Sequence, residues 1–438
     1  MKSRDLIGKD VVIWGAGREG LAAQEMLRQL GIVADTVITG GADHAAAMAA
    51  LQRAEVIVKS PGIPHTAPEY QALRQSGVVF TSLMDLWLSD YGDRTVAVTG
   101  TKGKSTTSSM VNHIFNTVGV HAVIGGNLGV PLTTQLGAAA AVVVAEVSSY
   151  QAAEVTASPR FGVFTSLYPE HLPWHGDFAT YVSDKTNLFA HGCAHLVTAT
   201  AELRDTLRDA LGAAAANTVV TLPSELGLHA SAAGISWDGV GSLAAAELQF
   251  LGLHNFHNAT LALTVCALHP LLQQVPRAAL LTALTSFKPL ATRLERVPTS
   301  DGRRWIDDGL ATAPEAVIAA LQSCGGSGKT ALLFGGAERN LDFGVLRDYL
   351  RETRDTASAD LTVIAMGPAG QRFAELVGTD FPRLQVADSF AAAVTAARSL
   401  TAAGDTILLS PGAPSFNEFK DYEERSAAFK AEARASSQ

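Results

Sequence analysis

Short runs rich in Val and Ile alternate along this chain with stretches of helical spacing. A first block carries VVIWG (Val11–Gly15), VADTVI (Val33–Ile38), EVIVKS (Glu55–Ser60) and VVF (Val78–Phe80). A second begins at TVAVTG (Thr95–Gly100), runs through AVVVAEV (Ala141–Val147) and GVFTSL (Gly162–Leu167), and ends near Pro289. A third holds WIDD (Trp305–Asp308), TALLFGG (Thr330–Gly336), LTVIAMG (Leu361–Gly367) and TILLSPG (Thr406–Gly412). Near-continuous apolar runs separated by helices are the pattern of βα units around parallel sheets buried on both faces. The pattern predicts an α/β chain of three domains: a Rossmann-like domain over 1–92, a central P-loop ATPase-like domain with a parallel sheet over 93–290, and a C-terminal Rossmann-like α/β domain over 291–438. Tyr91-Gly92-Asp93 and Lys288-Pro289 read as hinges, and the alanine cluster Ala213 to Ala216 as helix or surface filler.

Three glycine-rich turns interrupt the pattern. VAVTGTKGKSTTSSMV (Val96–Val111) places a donor-rich turn, a lysine, a hydroxyl and a helix directly after a strand. That is the arrangement that cradles phosphates at a helix N-terminus, although the usual loop has a glycine where this chain has Val98. Lys104 suits the β/γ phosphates and Ser105 a Mg²⁺ ion. Gly15-Ala16-Gly17-Arg18-Glu19-Gly20 also follows a strand and precedes a helix, with Asp35 near the end of the next strand, as in a dinucleotide fold. NAD, another nucleotide or a bare tight turn all fit this motif. Gly325-Gly326-Ser327-Gly328-Lys329-Thr330 precedes its strand instead, so it offers no helix N-terminus and reads as an αβ loop.

Composition narrows the classes. The 438 residues are 47% hydrophobic and 17% charged, enough for sizeable cores. A net charge of −9 gives no basic field for nucleic acid or anionic membrane. Cys193, Cys266 and Cys324 stand far apart, which favours idle buried thiols over disulfides or a zinc site. The charged N-terminal MKSRDLIGKD lacks the apolar core of a signal peptide, and the run Leu136 to Ala145 is too short to span a bilayer. A cytoplasmic protein is expected.

Other candidate groups fall at strand ends. Glu146 closes AVVVAE, so its carboxylate should emerge at the C-terminal edge of the sheet, where ligands of such folds collect. His171 and His175 lie in TSLYPEHLPWHGDF, equal candidates on chemistry alone. Lys185 sits in YVSDKTNLF on an expected helix and, taken alone, reads as a surface residue.

TGTKGKST, GGNLGVP (Gly125–Pro131), EVSSYQ (Glu146–Gln151), PEHLPWHG, the Asp184-Lys185 helix and GLHNFHN (Gly252–Asn258) occur in the order found in Mur ligases. The chain resembles that family over essentially its whole length, and the shortened GTxGK[ST] loop is the family's own. The first block, with GAGREG and KSPGIP (Lys59–Pro64), is similar to the UDP-binding domain of the MurD type, which removes NAD as the ligand. The resemblance implies ATP and two Mg²⁺ ions, with UDP-N-acetylmuramoyl-L-alanine and glutamate as partners; no nucleic acid or membrane is expected, and a monomer is. Gly100, Thr101, Lys102, Gly103, Lys104, Ser105 and Thr106 would hold ATP, joined by Asn258, Arg293 and Asp308. Ser105 and Glu146 would bind one Mg²⁺, and His171 with Lys185, as a carbamate, the other. Lys104, His171 and Lys185 would thus be the catalytic set. Gly15, Gly17, Arg18, Glu19 and Ser60 would hold the UDP-sugar, with Asn127 and Ser148 on the muramoyl part. An ammonium cannot ligate a cation, whereas its CO₂ adduct is an anionic oxygen ligand.

The chain departs from the MurD type at the far end. Asp308-Gly309-Leu310-Ala311-Thr312-Ala313-Pro314 has Leu310 where DSKATN carries lysine. Arg339, in GGAERNLDF, stands where lysine is usual, and Tyr422 replaces a more usual phenylalanine beside Ser415. Arginine binds a carboxylate through a fork, lysine as a point charge. The combination resembles the sister group that adds L-glutamate, with D-glutamate addition the alternative. A remoter alternative is a nucleotide-sugar-binding protein without catalysis, because Leu310 removes a cation.

Overall fold

The computed structural model of the protein describes residues 1–39, 43–135, 140–324, 328–353, 360–381 and 383–435. The chain forms two compact units, one of Met1–Glu247 with Asn255–Phe287, the other of Leu248–His254 with Lys288–Gln438.

Among the described residues the first unit holds three sheets. β1 (Val11–Trp14), β2 (Asp35–Val37), β3 (Val56–Lys59) and β4 (Val79–Thr81) pair in parallel in the order β2-β1-β3-β4. Alternate residues of these strands serve opposite faces, and both faces are covered. Val11, Ile13, Val56 and Val58 pack with Ala23 and Leu27 on one side. Val12, Trp14 and Ile57 pack with Leu51, Tyr70 and Leu73 on the other. Double coverage explains why the strands read as unbroken apolar runs.

β5 (Thr95–Thr99), β6 (Ala122–Gly126), β7 (Val142–Glu146), β8 (Phe161–Phe164), β9 (His195–Thr198) and β10 (Val219–Thr221) form an all-parallel sheet in the order β10-β9-β8-β5-β7-β6. Every residue of β5, β7 and β8 is buried. β5 lies where the strand order reverses, the position at which open α/β sheets bind ligands beyond the carboxyl ends of their strands. A small antiparallel sheet, β11 (Leu228–Ser231), β12 (Gly234–Trp237) and β13 (Gly241–Ala244), completes the unit.

The segments 1–92 and 93–290 carry separate sheets, yet strong polar contacts join residues of the first to the second. Lys59 Nζ lies 2.8 Å from Glu154 Oε2, and Asp85 Oδ1 accepts from the Thr156 hydroxyl at 2.8 Å. In the Tyr91-Gly92-Asp93 segment the middle residue is enclosed. Gly92 is buried, and its carbonyl accepts from Arg160 N–H at 3.0 Å.

In the second unit β14 (Glu295–Val297), β15 (Arg304–Asp307), β16 (Thr330–Gly335), β17 (Leu361–Met366), β18 (Leu384–Ala387) and β19 (Thr406–Leu409) run in the order β14-β15-β19-β16-β17-β18. Among the described residues of this sheet only the β14–β15 pair is antiparallel. Leu332 and Phe334 face one core, Ala331 and Leu333 the other.

Lys329-Thr330 leads directly into β16, while residues 325–327 of that glycine-rich loop lie outside the described residues. Residues 136–139 of the apolar run before β7 also lie outside them. All three cysteines are buried and free. No helix among the described residues is long and apolar enough to cross a membrane.

Candidate functional site

The loops that leave β5, β6, β7 and β8 meet at one edge of the central sheet. After β5 the chain turns through Gly100–Gly103 into the helix Lys104–Thr117. Gly103 caps that helix at φ 86°, a left-handed conformation costing an L-residue roughly 1–2 kcal/mol. A Cβ there would also lie 2.5 Å from Asn258 Oδ1. The turn is fixed from the β8 side: Thr101 N–H donates to Ser166 O at 2.8 Å and Lys102 N–H to Ser166 Oγ at 2.9 Å.

Lys104 Nζ donates to Gly100 O at 3.0 Å and to Thr101 O at 2.9 Å. Lys185 Nζ donates to the same Gly100 oxygen at 2.9 Å. Two lysines thus converge on one carbonyl. Lys185 is not a surface residue: the helix Phe178–Thr186 points it inward, where it is 2% exposed over the Tyr181 ring. Burial, and then the charge of Lys104, pull its ammonium down to about 7, with Glu170 and Glu146 opposing.

Glu146, the last residue of β7, is buried. Its Oε1 accepts from Asn127 Nδ2 at 2.6 Å, while Oε2 is buried without a hydrogen-bond partner. An orphaned buried carboxylate oxygen, whose charge is felt by Lys185, is a costly arrangement that a divalent cation would satisfy. Ser105 lies buried in the first turn of the helix Lys104–Thr117, with Thr106 next to it.

The two histidines separate clearly. His171 adopts φ 58° at the start of the short helix Leu172–His175, its ring half exposed and 4.0 Å from Glu170. Burial lowers its pKa, Glu170 opposes, and Lys104 and Lys185 lower it further. His175 is enclosed, with Nδ1 2.6 Å from Asp184 and Nε2 3.0 Å from Ser149. Glu170, absent from the expected set, pairs with Lys102 at 2.6 Å. Burial pushes its carboxyl up, but Lys102, His171 and Lys104 outweigh this and hold it below the usual range. Among the described residues no three His, Cys, Asp or Glu side chains cluster as metal ligands. The expected set would therefore depend on Ser105 and a carboxylated Lys185 as oxygen donors.

The expected sugar-nucleotide residues gather beside this loop system. Arg18 donates to Asn127 O at 3.1 Å and Gly129 O at 3.0 Å. Glu19 Oε1 accepts from Gln151 Nε2 at 2.5 Å, and Gln151 in turn closes the capping box on Ser148. Burial raises the Glu19 pKa against the Gln151 bond and the Arg18 charge. Ser60 Oγ donates to Gly15 O at 3.3 Å. Gly20 is required for close packing, since a Cβ there would fall 1.8 Å from Gly15 O, whereas Gly17 faces open space. Asp35, expected near the end of its strand, instead opens β2 opposite Val12 and is exposed, two residues before the carboxyl end where a ribose-binding acid belongs. The strand begins later than the run of β-formers suggests.

In the second unit, Arg293 and Asp308 lie near one another. Burial pushes the Asp308 carboxyl up to about 7, against bonds from Ser410 and Leu294 N–H and the charge of Arg293. The loop after β16 meets the loop after β19 through Ala337 N–H donating to Pro414 O at 2.8 Å, which brings the Arg339 and Ser415 segments together. Ser415 is buried. Tyr422 begins the helix Tyr422–Ala435, its hydroxyl 3.2 Å from Glu423. Arg425, unforeseen from the sequence, is buried and donates to Gly309 O and Ala413 O at 3.1 Å, bracing the turn that carries Leu310.

Residues 98–266 match the Mur ligase middle domain, and 292–412 the Mur ligase glutamate ligase domain. The chain is 38% identical to the UDP-N-acetylmuramoyl-L-alanine–L-glutamate ligase of a Micromonospora strain, over 98% of this chain and 97% of that one. The chain belongs to the Mur ligase family. A second relative of this Mur ligase, the UDP-N-acetylmuramoylalanine–D-glutamate ligase of Pelotomaculum thermopropionicum, is 30% identical over 98% of each chain. The MurF ligase of Thermotoga maritima, solved in complex with ADP, shares the fold at a TM-score of 0.58 and 14% identity, covering 99% of this chain and 97% of that one.

Proposed function

We propose that this Mur ligase is an ATP-dependent amide ligase of peptidoglycan precursor synthesis that joins glutamate, in the L form, to UDP-N-acetylmuramoyl-L-alanine. The observation that carries the reading is the convergence of Lys104, Lys185 and the orphaned Glu146 oxygen around the turn after β5. The near-full-length likeness to an L-glutamate ligase supports the substrate pair. Leu310, in place of a lysine, supports L over D.

In this reading the terminal carboxylate of the sugar nucleotide attacks the γ-phosphorus of ATP, ADP leaves, and an acyl phosphate forms. The neutral amine of glutamate then attacks the acyl carbon, the C–O bond breaks, and inorganic phosphate departs with its oxygen. The amine loses its proton as the amide forms. Backbone N–H groups at the start of the helix Lys104–Thr117, with Lys104, hold the transferred phosphoryl group. Asn127 and Ser148 orient the muramoyl acid, and Arg339, Ser415 and Tyr422 take the incoming glutamate.

Glu146, Ser105, His171 and Lys185 would hold Mg²⁺, which when bound neutralises phosphate charge. Lys185 suits carboxylation because CO₂ reacts with the neutral amine, and its surroundings favour that form. Ordinary lysine at neutral pH is almost wholly protonated.

Phosphate release measured with ATP, UDP-N-acetylmuramoyl-L-alanine and each glutamate enantiomer tests the proposal. Release that requires the sugar nucleotide and L-glutamate is expected. Strict use of D-glutamate would overturn the stereochemical assignment, and no phosphate release with either enantiomer would leave a binding protein.

A further inference from the structure

We infer that His175 is a positioning residue for the cation ligands, acting through a buried Ser149–His175–Asp184 relay. This rests on the ligase reading above. Asp184 Oδ2 lies 2.6 Å from His175 Nδ1, and Ser149 Oγ 3.0 Å from Nε2. A carboxylate only accepts, which assigns a proton to Nδ1 and leaves Nε2 to share a hydrogen bond with the Ser149 hydroxyl.

The order hydroxyl, imidazole, carboxylate is that of a nucleophilic triad. Here Ser149 is 3% exposed, and the ring is enclosed by Tyr150 and Tyr181 at centroid distances of 5.5 and 5.1 Å. A buried hydroxyl cannot reach a substrate, so the relay works as a brace.

What it braces follows from the spacing. Ser149 stands three residues after Glu146, His175 four after His171, and Asp184 immediately before Lys185. Each arm of the relay therefore belongs to a different cation-binding segment. One ring with both nitrogens engaged fixes the separation and orientation of all three. The His171 segment needs such support most, because His171 holds a left-handed backbone that surrounding contacts must impose. Partners behind the ligands orient them and tune metal binding, and losing one weakens affinity about 10- to 100-fold.

The test uses the full-length protein with Mn²⁺ as probe, titrated by electron paramagnetic resonance in the presence of a non-hydrolysable ATP analogue. His175→Leu, which removes both bonds, is expected to weaken Mn²⁺ binding about 10- to 100-fold. His175→Asn, which can still donate to Asp184, should recover part of that loss. The Mg²⁺ concentration for half-maximal turnover should rise in step, with less than about a threefold change in KM for ATP. Mn²⁺ affinity within about twofold of wild type in a folded His175→Leu protein would overturn the inference, whatever its activity. If circular dichroism shows that variant unfolded, Ser149→Ala decides: affinity weakened at least about threefold supports the brace, and unchanged affinity overturns it. Wild-type protein that binds no Mn²⁺ with nucleotide would instead overturn the ligase reading, and the brace with it.

Discussion

Replacing Glu154 by Gln should destabilise the first unit by about 3–4 kcal/mol at neutral pH. The Lys59 side chain is fully buried and the Glu154 side chain 15% exposed, with 2.8 Å between charges. At that distance and an effective dielectric of about 20, the attraction is roughly 6 kcal/mol. Glutamine keeps a neutral hydrogen bond worth about 1 kcal/mol, and Lys59 retains Ile63 O at 2.7 Å, which together reduce the loss. Breaking one side of a buried pair typically costs about 3–5 kcal/mol, which brackets the result. This is a large share of the roughly 5–15 kcal/mol that holds a domain folded.

The pH dependence has a definite sign. Burial already lowers the Lys59 pKa, with Glu154 resisting. Between that lowered value and 10.5 the unfolded chain binds more protons, so this group makes stability rise with pH. Glu154→Gln lowers the folded value further and widens the window from below. The deficit of the variant should therefore be largest near neutrality and shrink towards pH 10. Equilibrium urea unfolding at several pH values, followed by near-ultraviolet circular dichroism, measures both effects. Lys59→Met combined with Glu154→Leu should be more stable than Glu154→Gln alone, because no charge is left stranded. A loss below about 1 kcal/mol, a deficit independent of pH, or a double variant no better than the single one would each refute the reasoning.

Lys185→Ala should lose most ligase activity and regain part of it with millimolar formate or acetate, assayed by phosphate release. No rescue with near-normal rates would argue against a carbamate ligand. Gly103→Ala should raise KM for ATP about tenfold and cost roughly 1–2 kcal/mol of stability, from the left-handed cap and the approach to Asn258. An unchanged KM in a folded variant would show that the cap geometry does not set phosphate binding.

Local patterns carried much of the architecture. The apolar runs at Val11, Val56, Thr95, Val142 and Thr330 became strands because sheets covered on both faces demand uninterrupted burial, a property visible residue by residue. The turn at Gly100–Gly103 was legible too, since strand, glycines, lysine and helix are contiguous. Glu146 was placed at a strand end by the length of its own run.

What the sequence by itself determined was therefore short-range: the α/β alternation, the glycine turn between strand and helix, and the strand-end carboxylate. The tertiary structure alone decided which of His171 and His175 stays half exposed, and that Lys185 is buried beside Lys104 rather than on the surface. It also set the Lys59–Glu154 pair and the Glu19–Gln151 bond, whose partners lie far apart in the chain. Asp35 shows the limit even locally, because a strand's register against Val12, not its composition, fixes where its residues fall. The physical reason is common to all of these. Burial and hydrogen-bond pairing depend on which segments the sheet order brings to one edge, and a periodic pattern along the chain states only that a residue is covered, not by what.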